Sequence, residues 1–181
     1  KLGLKDGETT ALIVSDYLDQ PRKGGHYLRE ALSKLASPLT LLTMGNNPVM
    51  LDQPKLKCLH LGYLRDETEK ARIFAAADLL IHPAPVDNRP LVISEANCCG
   101  TPVLGFPIGG VQEMIVEGES GWLASGLSAD ALLVSLERAL ADIQAGRFDR
   151  ARCRAFAEKT YSPETIAAET IGLMQRIAHA I

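Results

Sequence analysis

Short apolar runs alternate along the chain with segments that have helical periodicity. The runs are four to six residues long and rich in Val, Ile and Leu, a composition typical of buried strands. Six strands are predicted: Ala11–Ser15, Leu39–Met44, Cys58–Leu61, Leu79–His82, Val103–Phe106 and Gly121–Ala124.

The segments between and after the strands place apolar residues three and four positions apart, as a helix with one buried face requires. Glycine, proline and hydroxyl residues mark their ends, for example at the turn Gly45–Pro48 and at the start Ser162-Pro163-Glu164. Helices are predicted after Gly24-Gly25 and over Asp66–Ala77, Pro90–Cys99, Val111–Glu117, Ala129–Ala145, Asp149–Lys159 and Pro163–Ala178.

This alternation predicts an α/β fold, a Rossmann-like three-layer αβα domain with a parallel sheet of about six strands, followed by C-terminal helices. The domain is expected to cover residues 1–161, with residues 162–181 forming a separate C-terminal helix. Ligands of such folds bind outside the carboxyl ends of the strands, where the strand order reverses. The loops expected to bind a ligand are those that follow Val14, Met44, Leu61, His82 and Phe106.

Composition narrows the classes of function. The chain has 181 residues and a net charge of −3, so it lacks the basic field that nucleic-acid binding requires. No apolar run approaches the roughly 20 residues that span a bilayer. The polar start, Lys1–Thr10, is no signal peptide and is expected to be a domain cut. Four cysteines without a CxxC pair are expected to be reduced thiols, which favours the cytoplasm.

The loop after the first strand ends in Arg22-Lys23-Gly24-Gly25, at the mouth of a helix. Helix N-termini attract phosphate, glycine lets the backbone approach a ligand, and lysine supplies a mobile charge. The GxxxxGK[ST] spacing of a Walker A loop is absent. A phosphate site and a solvated basic turn both remain open for this loop.

Two acids follow the fourth strand. Asp87 precedes a helix, where it could serve as a helix cap or as a site residue. Glu95 lies in an apolar helix that is expected to pack between the sheet and its neighbours, and an unpaired buried charge costs several kcal/mol. Ribose hydroxyls of a ligand or a structural arginine would both be suitable partners. After the fifth strand, Gly109-Gly110 offers either backbone N–H groups for an anion or a plain turn.

These segments together resemble a known family. Asp87-x7-Glu95, Ala96–Val103, Gly109–Glu113 and Glu117–Gly121 match the Glu-x7-Glu, EA-x-x-CGTPV, GG-x-x-E and G-x-x-G elements of retaining GT-B glycosyltransferases, family 4 or group 1. The Pro-Arg-Lys-Gly element and the Ala-Ala-Asp before the fourth strand match as well. The resemblance covers nearly all of the chain and identifies it as the C-terminal, donor-binding domain of such an enzyme.

The resemblance implies a role for each matching residue. Lys23 would bind the diphosphate of a nucleotide sugar, Glu95 the ribose hydroxyls, and Asp87 the hydroxyls of the donor sugar. Lys23 and Asp87 are the predicted catalytic pair. Other predicted donor-binding residues lie in the flanking loops, with Tyr63 beside the base: Arg22, Gly24, Tyr63, Asn88, Arg89, Pro90, Leu91, Gly109 and Gly110.

The chain departs from the family pattern at three places. Asp87 stands where Glu is more frequent, so its carboxylate reaches about one methylene less far. Asn88-Arg89-Pro90 replaces a Gly-Phe-Gly type loop. Similar DN-x-P variants occur in the family, so this loop indicates a particular subgroup within it. Tyr17 occupies the position of an arginine that also grips the diphosphate, and Arg22 or Arg89 is the conjectured replacement.

The implied reaction is sugar transfer from a nucleoside diphosphate sugar with retained anomeric configuration. It needs no metal, cofactor or Asp-x-Asp element, and the charge on the leaving diphosphate would be stabilised by cations and N–H dipoles. An acceptor domain N-terminal to the chain and peripheral contact with the inner face of the membrane are further expectations, with polysaccharide or lipopolysaccharide biosynthesis as the setting. The isolated chain is expected to turn over little. A non-catalytic nucleotide-binding module and a GT-B nucleotide-sugar epimerase remain open as alternatives.

Overall fold

A computed structural model describes residues 7–47, 51 and 53–179 of the chain. Pro48 of the predicted turn, the first six residues and the last two lie outside the described residues. The six predicted strands are all present: β1 Thr10–Val14, β2 Leu39–Met44, β3 Leu56–His60, β4 Leu79–His82, β5 Val103–Gly105 and β6 Gly121–Leu123. β3 begins two residues before the predicted start because it is an edge strand with Lys57 exposed, so its first residues do not form an apolar run.

The predicted helices are also present, with a 3-10 turn Pro21–Lys23 before the first of them. One prediction of length was wrong: the helix at Val111 ends at Met114 instead of Glu117. The backbone becomes extended at Ile115, and Glu117 forms a β-bridge with Gly121. The helices are α1 Gly25–Ser33, α2 Glu67–Ala76, α3 Leu91–Cys98, α4 Val111–Met114, α5 Ala129–Gln144, α6 Arg150–Tyr161 and α7 Pro163–His179.

The strands form one sheet in the order β3-β2-β1-β4-β5-β6, and every neighbouring pair is parallel. The chain moves outward from β1 to β3, returns to the centre at β4 and then moves outward on the other side. The order therefore reverses between β1 and β4, and the carboxyl ends of these two strands flank the position where such sheets bind ligands. The structure confirms the α/β Rossmann-like prediction.

Each face of the sheet has its own apolar core, because side chains alternate along a strand. Ala11 and Ile13 of β1 belong to the core beneath α1 and α5, while Leu12 between them belongs to the core beneath α2 and α3. Both faces are covered by helices, so the strands carry apolar residues on both faces rather than at alternate positions only. This burial on both sides explains why short continuous runs predicted the strands.

The segment Ala96–Val103, which matches the EA-x-x-CGTPV element, has a structural role. Asn97 and Thr101 are fully buried beneath α6. The Asn97 amide donates to the carbonyls of Thr101 and Ser120, at 3.1 and 3.0 Å. The Thr101 hydroxyl donates to the carbonyl of Phe74 at 2.6 Å and accepts from Arg150 at 3.0 Å. These bonds fix the C-terminal end of α3 against β5 and α6, and so hold the helix that carries Glu95.

The last helix, α7, contacts the rest of the described chain mainly through α6. A row of large apolar side chains on it is exposed: Ile166, Ile171, Leu173, Met174 and Ile177. No helix within residues 7–47 and 53–179 is both long and apolar enough to cross a membrane.

Candidate functional site

A cleft of about 400 Å³ opens at the carboxyl ends of the central strands. Its floor is formed by the last residues of β1, β2 and β4 and the residues after them, and its outer wall by α2, α3 and the segment after β3. Its volume suits a ligand of nucleotide size. The lining residues are Val14, Ser15, Asp16, Lys23, Met44, Gly45, Tyr63, Leu64, Lys70, His82, Asp87, Pro90, Leu91, Val92 and Glu95.

Lys23 is held at the mouth of the cleft by the 3-10 turn Pro21–Lys23, whose C-cap Gly24 has φ +72°. The left-handed glycine turns the chain directly into α1, so Lys23 precedes the N-terminus of that helix. The half-buried ammonium forms no ion pair with any described residue. Arg22, in contrast, donates to the side chain of Gln20 at 3.0 Å and does not line the cleft.

Three glycines hold the loop that carries Asp87. A Cβ atom on Gly24 would overlap the carbonyl oxygen of Pro83, one on Gly109 that of Asp87, and one on Gly110 that of Asn88. The backbone of the β4–α3 loop therefore runs between Gly24 on one side and Gly109-Gly110 on the other. It lies so close to both that a side chain larger than hydrogen would not fit at these positions. The sequence left an anion site and a plain turn open at Gly109-Gly110, and the structure shows that both glycines make a close backbone contact with the β4–α3 loop.

Asp87 is a side chain without a structural partner. The N-cap of α3 is Pro90 and no side chain caps the helix, which excludes the helix-cap interpretation of Asp87. Its carboxylate accepts no hydrogen bond from the described residues, and its nearest charged or titratable neighbour is His82, with 3.7 Å between His82 Nε2 and Asp87 Oδ2. A partly buried carboxylate in this state is available to accept hydrogen bonds from a ligand.

Glu95 lies on the exposed side of α3, so the expectation that it would be packed between sheet and helices was wrong. Ile93, Ala96 and Asn97 turn to the core, which leaves Glu95 on the opposite side of the helix, one turn after Leu91. Partial burial at the cleft wall raises the pKa of Glu95, and Glu67 raises it as well, whereas Lys70 lowers it. Its carboxylate accepts no hydrogen bond within the described part of the chain.

Lys70 is a second cation in the cleft that sequence reasoning missed. It lies on α2, where Nζ donates to Glu67 Oε1 at 2.7 Å, and it faces Tyr63 and Glu95. One feature of the sequence points to Lys70: it lies on the same side of its helix as the buried residues Ile73 and Phe74. Spacing alone does not show which helix faces the cleft.

His82, the last residue of β4, is the second residue that sequence reasoning missed. Its side chain is 9% exposed, and Nε2 is buried without a hydrogen-bond partner among the described residues. Burial lowers the pKa of His82 to about 4, Asp87 raises it and Lys23 lowers it. The imidazole is therefore neutral at physiological pH.

This neutral histidine predicts a pH dependence of stability. The folded pKa is about 4 and the ordinary value is 6.5, so between these pH values the unfolded chain binds the proton and the folded chain does not. Stability therefore falls as the pH falls below 6.5. From pH 7.5 to pH 5 the loss from this group is about 2 kcal/mol.

Urea unfolding of the wild type and of His82→Gln at pH 7.5 and 5 measures this loss. Glutamine has similar size and polarity but does not titrate, so the difference between the two proteins isolates the histidine. We expect the wild type to lose about 2 kcal/mol more than the variant over this range. Equal losses would show that the folded imidazole binds a proton as readily as the unfolded one.

The structure brings six of the twelve predicted site residues to the cleft: Lys23, Tyr63, Asp87, Pro90, Leu91 and Glu95. Arg22, Gly24, Asn88, Arg89, Gly109 and Gly110 lie around it without lining it, and their predicted binding roles stay predictions. Within the described residues, no group of three or more His, Cys, Asp or Glu side chains is placed to hold a metal ion.

A second concavity, about 450 Å³, lies near the amino ends of β1, β2 and β3. Its lysines are already engaged: Lys55 donates to the carbonyl of Ala36 at 2.6 Å and Lys57 pairs with Glu8 at 3.5 Å. The cleft at the carboxyl ends differs from it in one respect. The cleft at the carboxyl ends contains Lys23 and Asp87, whose side chains lack such partners among the described residues, and for this reason this cleft is the candidate site.

Comparison with known proteins agrees with this architecture. Residues 8–142 match the family described as "Glycosyl transferases group 1". The chain belongs to the group 1 glycosyltransferases. One relative is the D-inositol 3-phosphate glycosyltransferase of Mycobacterium marinum, 30% identical over 168 residues, which are 83% of this chain and 35% of that protein.

Solved structures of other proteins share the fold. The sucrose-phosphate synthase of Thermosynechococcus elongatus matches 99% of this chain and 48% of its own, with a TM-score of 0.78 and 25% identity. The Anabaena protein HepE, solved in complex with UDP-glucose, matches 94% of this chain and 49% of its own, with a TM-score of 0.72 and 21% identity. The chain thus spans a third to a half of the length of these relatives.

Proposed function

We propose that this group 1 glycosyltransferase chain binds the nucleoside diphosphate sugar in a retaining, metal-independent sugar transfer. The observation that carries the proposal is the cleft between the ends of β1 and β4. One cation, Lys23, and two acids, Asp87 and Glu95, line it, and none of the three accepts or donates a side-chain hydrogen bond within the described residues. With no side-chain hydrogen-bond partner of their own, these three groups are available to bind a ligand.

The three groups match the parts of a nucleotide sugar in order. Lys23, beside the N-terminus of α1, is proposed to bind the diphosphate, where a positive charge and free N–H groups favour an anion. Glu95 is proposed to accept hydrogen bonds from the ribose hydroxyls, and Asp87 from hydroxyls of the donor sugar. Both acids then orient the donor, and neither transfers a proton.

The outer wall of the cleft is suited to a nucleobase. Tyr63 and Leu91 line the cleft and are 57% and 73% exposed, so both offer apolar surface to a ligand. A planar base between them would bury apolar surface on both of its faces. We propose that Tyr63 borders the base, and the UDP-glucose bound by HepE makes uridine and glucose the first ligands to test.

Charge on the departing diphosphate rises as the sugar bond breaks, so a fixed cation at this position lowers the barrier. We propose Lys23 for this role, with the acceptor supplied from a domain beyond the chain. The exposed apolar row of α7 would pack against that domain, which accounts for its large apolar side chains. On this proposal the 181-residue chain alone binds the donor and turns over little or none of it.

The ribose role of Glu95 leads to a testable expectation. Glu95→Ala is expected to weaken nucleoside diphosphate binding about tenfold, the size of one hydrogen bond to a charged group. Calorimetry with a ribonucleotide and its 2′,3′-dideoxy analogue, UDP first and GDP second, measures it. The wild type should bind the dideoxy analogue about tenfold more weakly than the ribonucleotide, and Glu95→Ala should not distinguish the two.

Glu69→Ala is the matched control, because Glu69 is exposed on neighbouring α2 and does not line the cleft. It should bind as the wild type does. Binding to ribose hydroxyls favours the carboxylate form, and the pKa of Glu95 is raised. Affinity should therefore decrease as the pH falls through that raised pKa, and this decrease should be absent in Glu95→Ala. Equal discrimination of the dideoxy analogue by wild type and Glu95→Ala would remove the ribose assignment.

A further inference from the structure

Asp87 is anchored through its backbone but not through its carboxylate. The glycines Gly109 and Gly110 hold the backbone of Asp87 and Asn88, whereas the Asp87 carboxylate accepts no hydrogen bond from the described residues. A carboxylate that must meet one sugar hydroxyl needs a fixed direction, since lost rotamer freedom otherwise reduces the gain from binding. A neighbouring donor is the usual means of fixing it.

His82 is placed to be that donor. Its Nε2 lies 3.7 Å from Asp87 Oδ2, beyond hydrogen-bonding distance but within reach of a change of side-chain rotamer. The same atom is buried and has no other partner among the described residues, although a buried polar atom is normally paired. A rotation of the Asp87 side chain that moves Oδ2 by about 0.8 Å would bring the two atoms to the usual hydrogen-bond distance of about 2.9 Å.

We propose that His82 is a positioning residue, whose Nε2–H donates to the Asp87 carboxylate and orients it toward a hydroxyl of the donor sugar. This inference rests on the proposed function and adds a residue that none of the family motifs named above contains. His82 does not touch the reacting atoms in this role, because it acts through Asp87.

The charges around the ring agree with a neutral donor. Asp87 faces it from the following loop and Lys23 from the loop after β1, while the more distant charged residues of the same cleft are Asp16, Lys70 and Glu95. Burial lowers the pKa of His82 to about 4, so the ring carries a single N–H at neutral pH. The tautomer with the proton on Nε2 satisfies both the buried nitrogen and the carboxylate.

The test separates the sugar from the nucleotide. Dissociation constants are measured by calorimetry for UDP and UDP-glucose, and for GDP and GDP-mannose, with the better-bound pair used throughout. The ratio of the constant for the nucleotide to that for the nucleotide sugar reports what the sugar adds. His82→Leu keeps apolar volume but removes the donor, and His82→Gln keeps an N–H near the position of Nε2.

His82→Leu is expected to lower this ratio about fivefold, as the loss of one hydrogen bond would, with the nucleotide constant unchanged. His82→Gln should stay within about twofold of the wild type. A ratio unchanged in His82→Leu, or equally lowered in both variants, overturns the inference while nucleotide binding by the wild type still supports the proposed function. A wild type that binds none of these nucleotides overturns the proposed function itself.

Two further measurements distinguish positioning from direct contact and from charge. In an Asp87→Ala background, His82→Leu should not lower the ratio further, and an equal drop there would mean that His82 binds the sugar directly. The effect of His82→Leu should also be the same at pH 8 and pH 5.5, because the ring is neutral at both. A larger effect at pH 5.5 would mean that an imidazolium carries the interaction and would overturn the inference.

Discussion

Lys23→Met is expected to weaken nucleoside diphosphate binding about 50-fold, the largest effect on affinity of any single substitution in the cleft. Lys23 has no ion pair among the described residues, so its charge is fully available to a diphosphate. Methionine keeps most of the side-chain length and removes only the ammonium. Calorimetry with the diphosphate, the monophosphate and the nucleoside of one base separates the charge effect from the base and the ribose.

The neighbouring residue gives a matched control. Arg22→Met removes a cation one position away, which the sequence offered as a second diphosphate ligand. Because its guanidinium bonds to Gln20 and does not line the cleft, we expect the substitution to change affinity by less than about twofold. The loss in Lys23→Met should shrink from diphosphate to monophosphate and vanish for the nucleoside. A large loss in Arg22→Met with a small one in Lys23→Met would assign the diphosphate to Arg22.

Gly110→Ala is expected to destabilise the fold by about 3 kcal/mol, since it forces a methyl group into the carbonyl oxygen of Asn88. The backbone of Gly110 has φ −77°, which alanine adopts readily, so the cost comes from lost space and not from the torsion. The loop must move to make room, and Asp87 moves with it. Thermal unfolding should show a decrease of about 6–12 °C in midpoint.

Gly126→Ala is the control for this substitution. Apart from its chain neighbours, no heavy atom of the described residues lies within 4 Å of a Cβ built there, and its φ is outside the left-handed region. It should leave stability within about 0.5 kcal/mol of the wild type. The variant Gly110→Ala should also lose the added affinity of the sugar while retaining most nucleotide affinity at a temperature where it is folded. Equal stability of the two variants would show that the loop yields freely and does not fix Asp87.

The strands were predictable because both faces of the sheet are buried. β2 and β4 contain only buried residues, so each forms a continuous, mainly apolar run that predicts a strand without any alternation of apolar and polar positions. The exceptions occur at the periphery. β3, with one neighbour and a charged exposed residue, was predicted to start two residues too late. The chain after α4 was predicted helical although Glu117 bridges to Gly121.

The site residues were predictable where they belong to a motif in a loop that follows a strand. Lys23 and Asp87 follow strand ends in motifs, and both reach the cleft. Lys70 and His82 were not predictable, because one lies within a helix and the other at the last position of a strand, where a histidine is more often a core residue. Whether such a side chain reaches a ligand depends on the neighbouring element.

Patterns and motifs in the sequence predicted the succession of strands and helices along the chain, the family, and the three residues expected to hold diphosphate, ribose and sugar. Local patterns suffice for these, since periodicity and turn chemistry act over a few residues. The exposure of Glu95, the absence of a helix cap at Asp87, the packing of Gly24 and Gly110 on the β4–α3 loop and the approach of His82 to Asp87 became visible in the folded chain alone. Each of these depends on two segments distant in sequence meeting in space, and that meeting is set by how helices pack on the sheet.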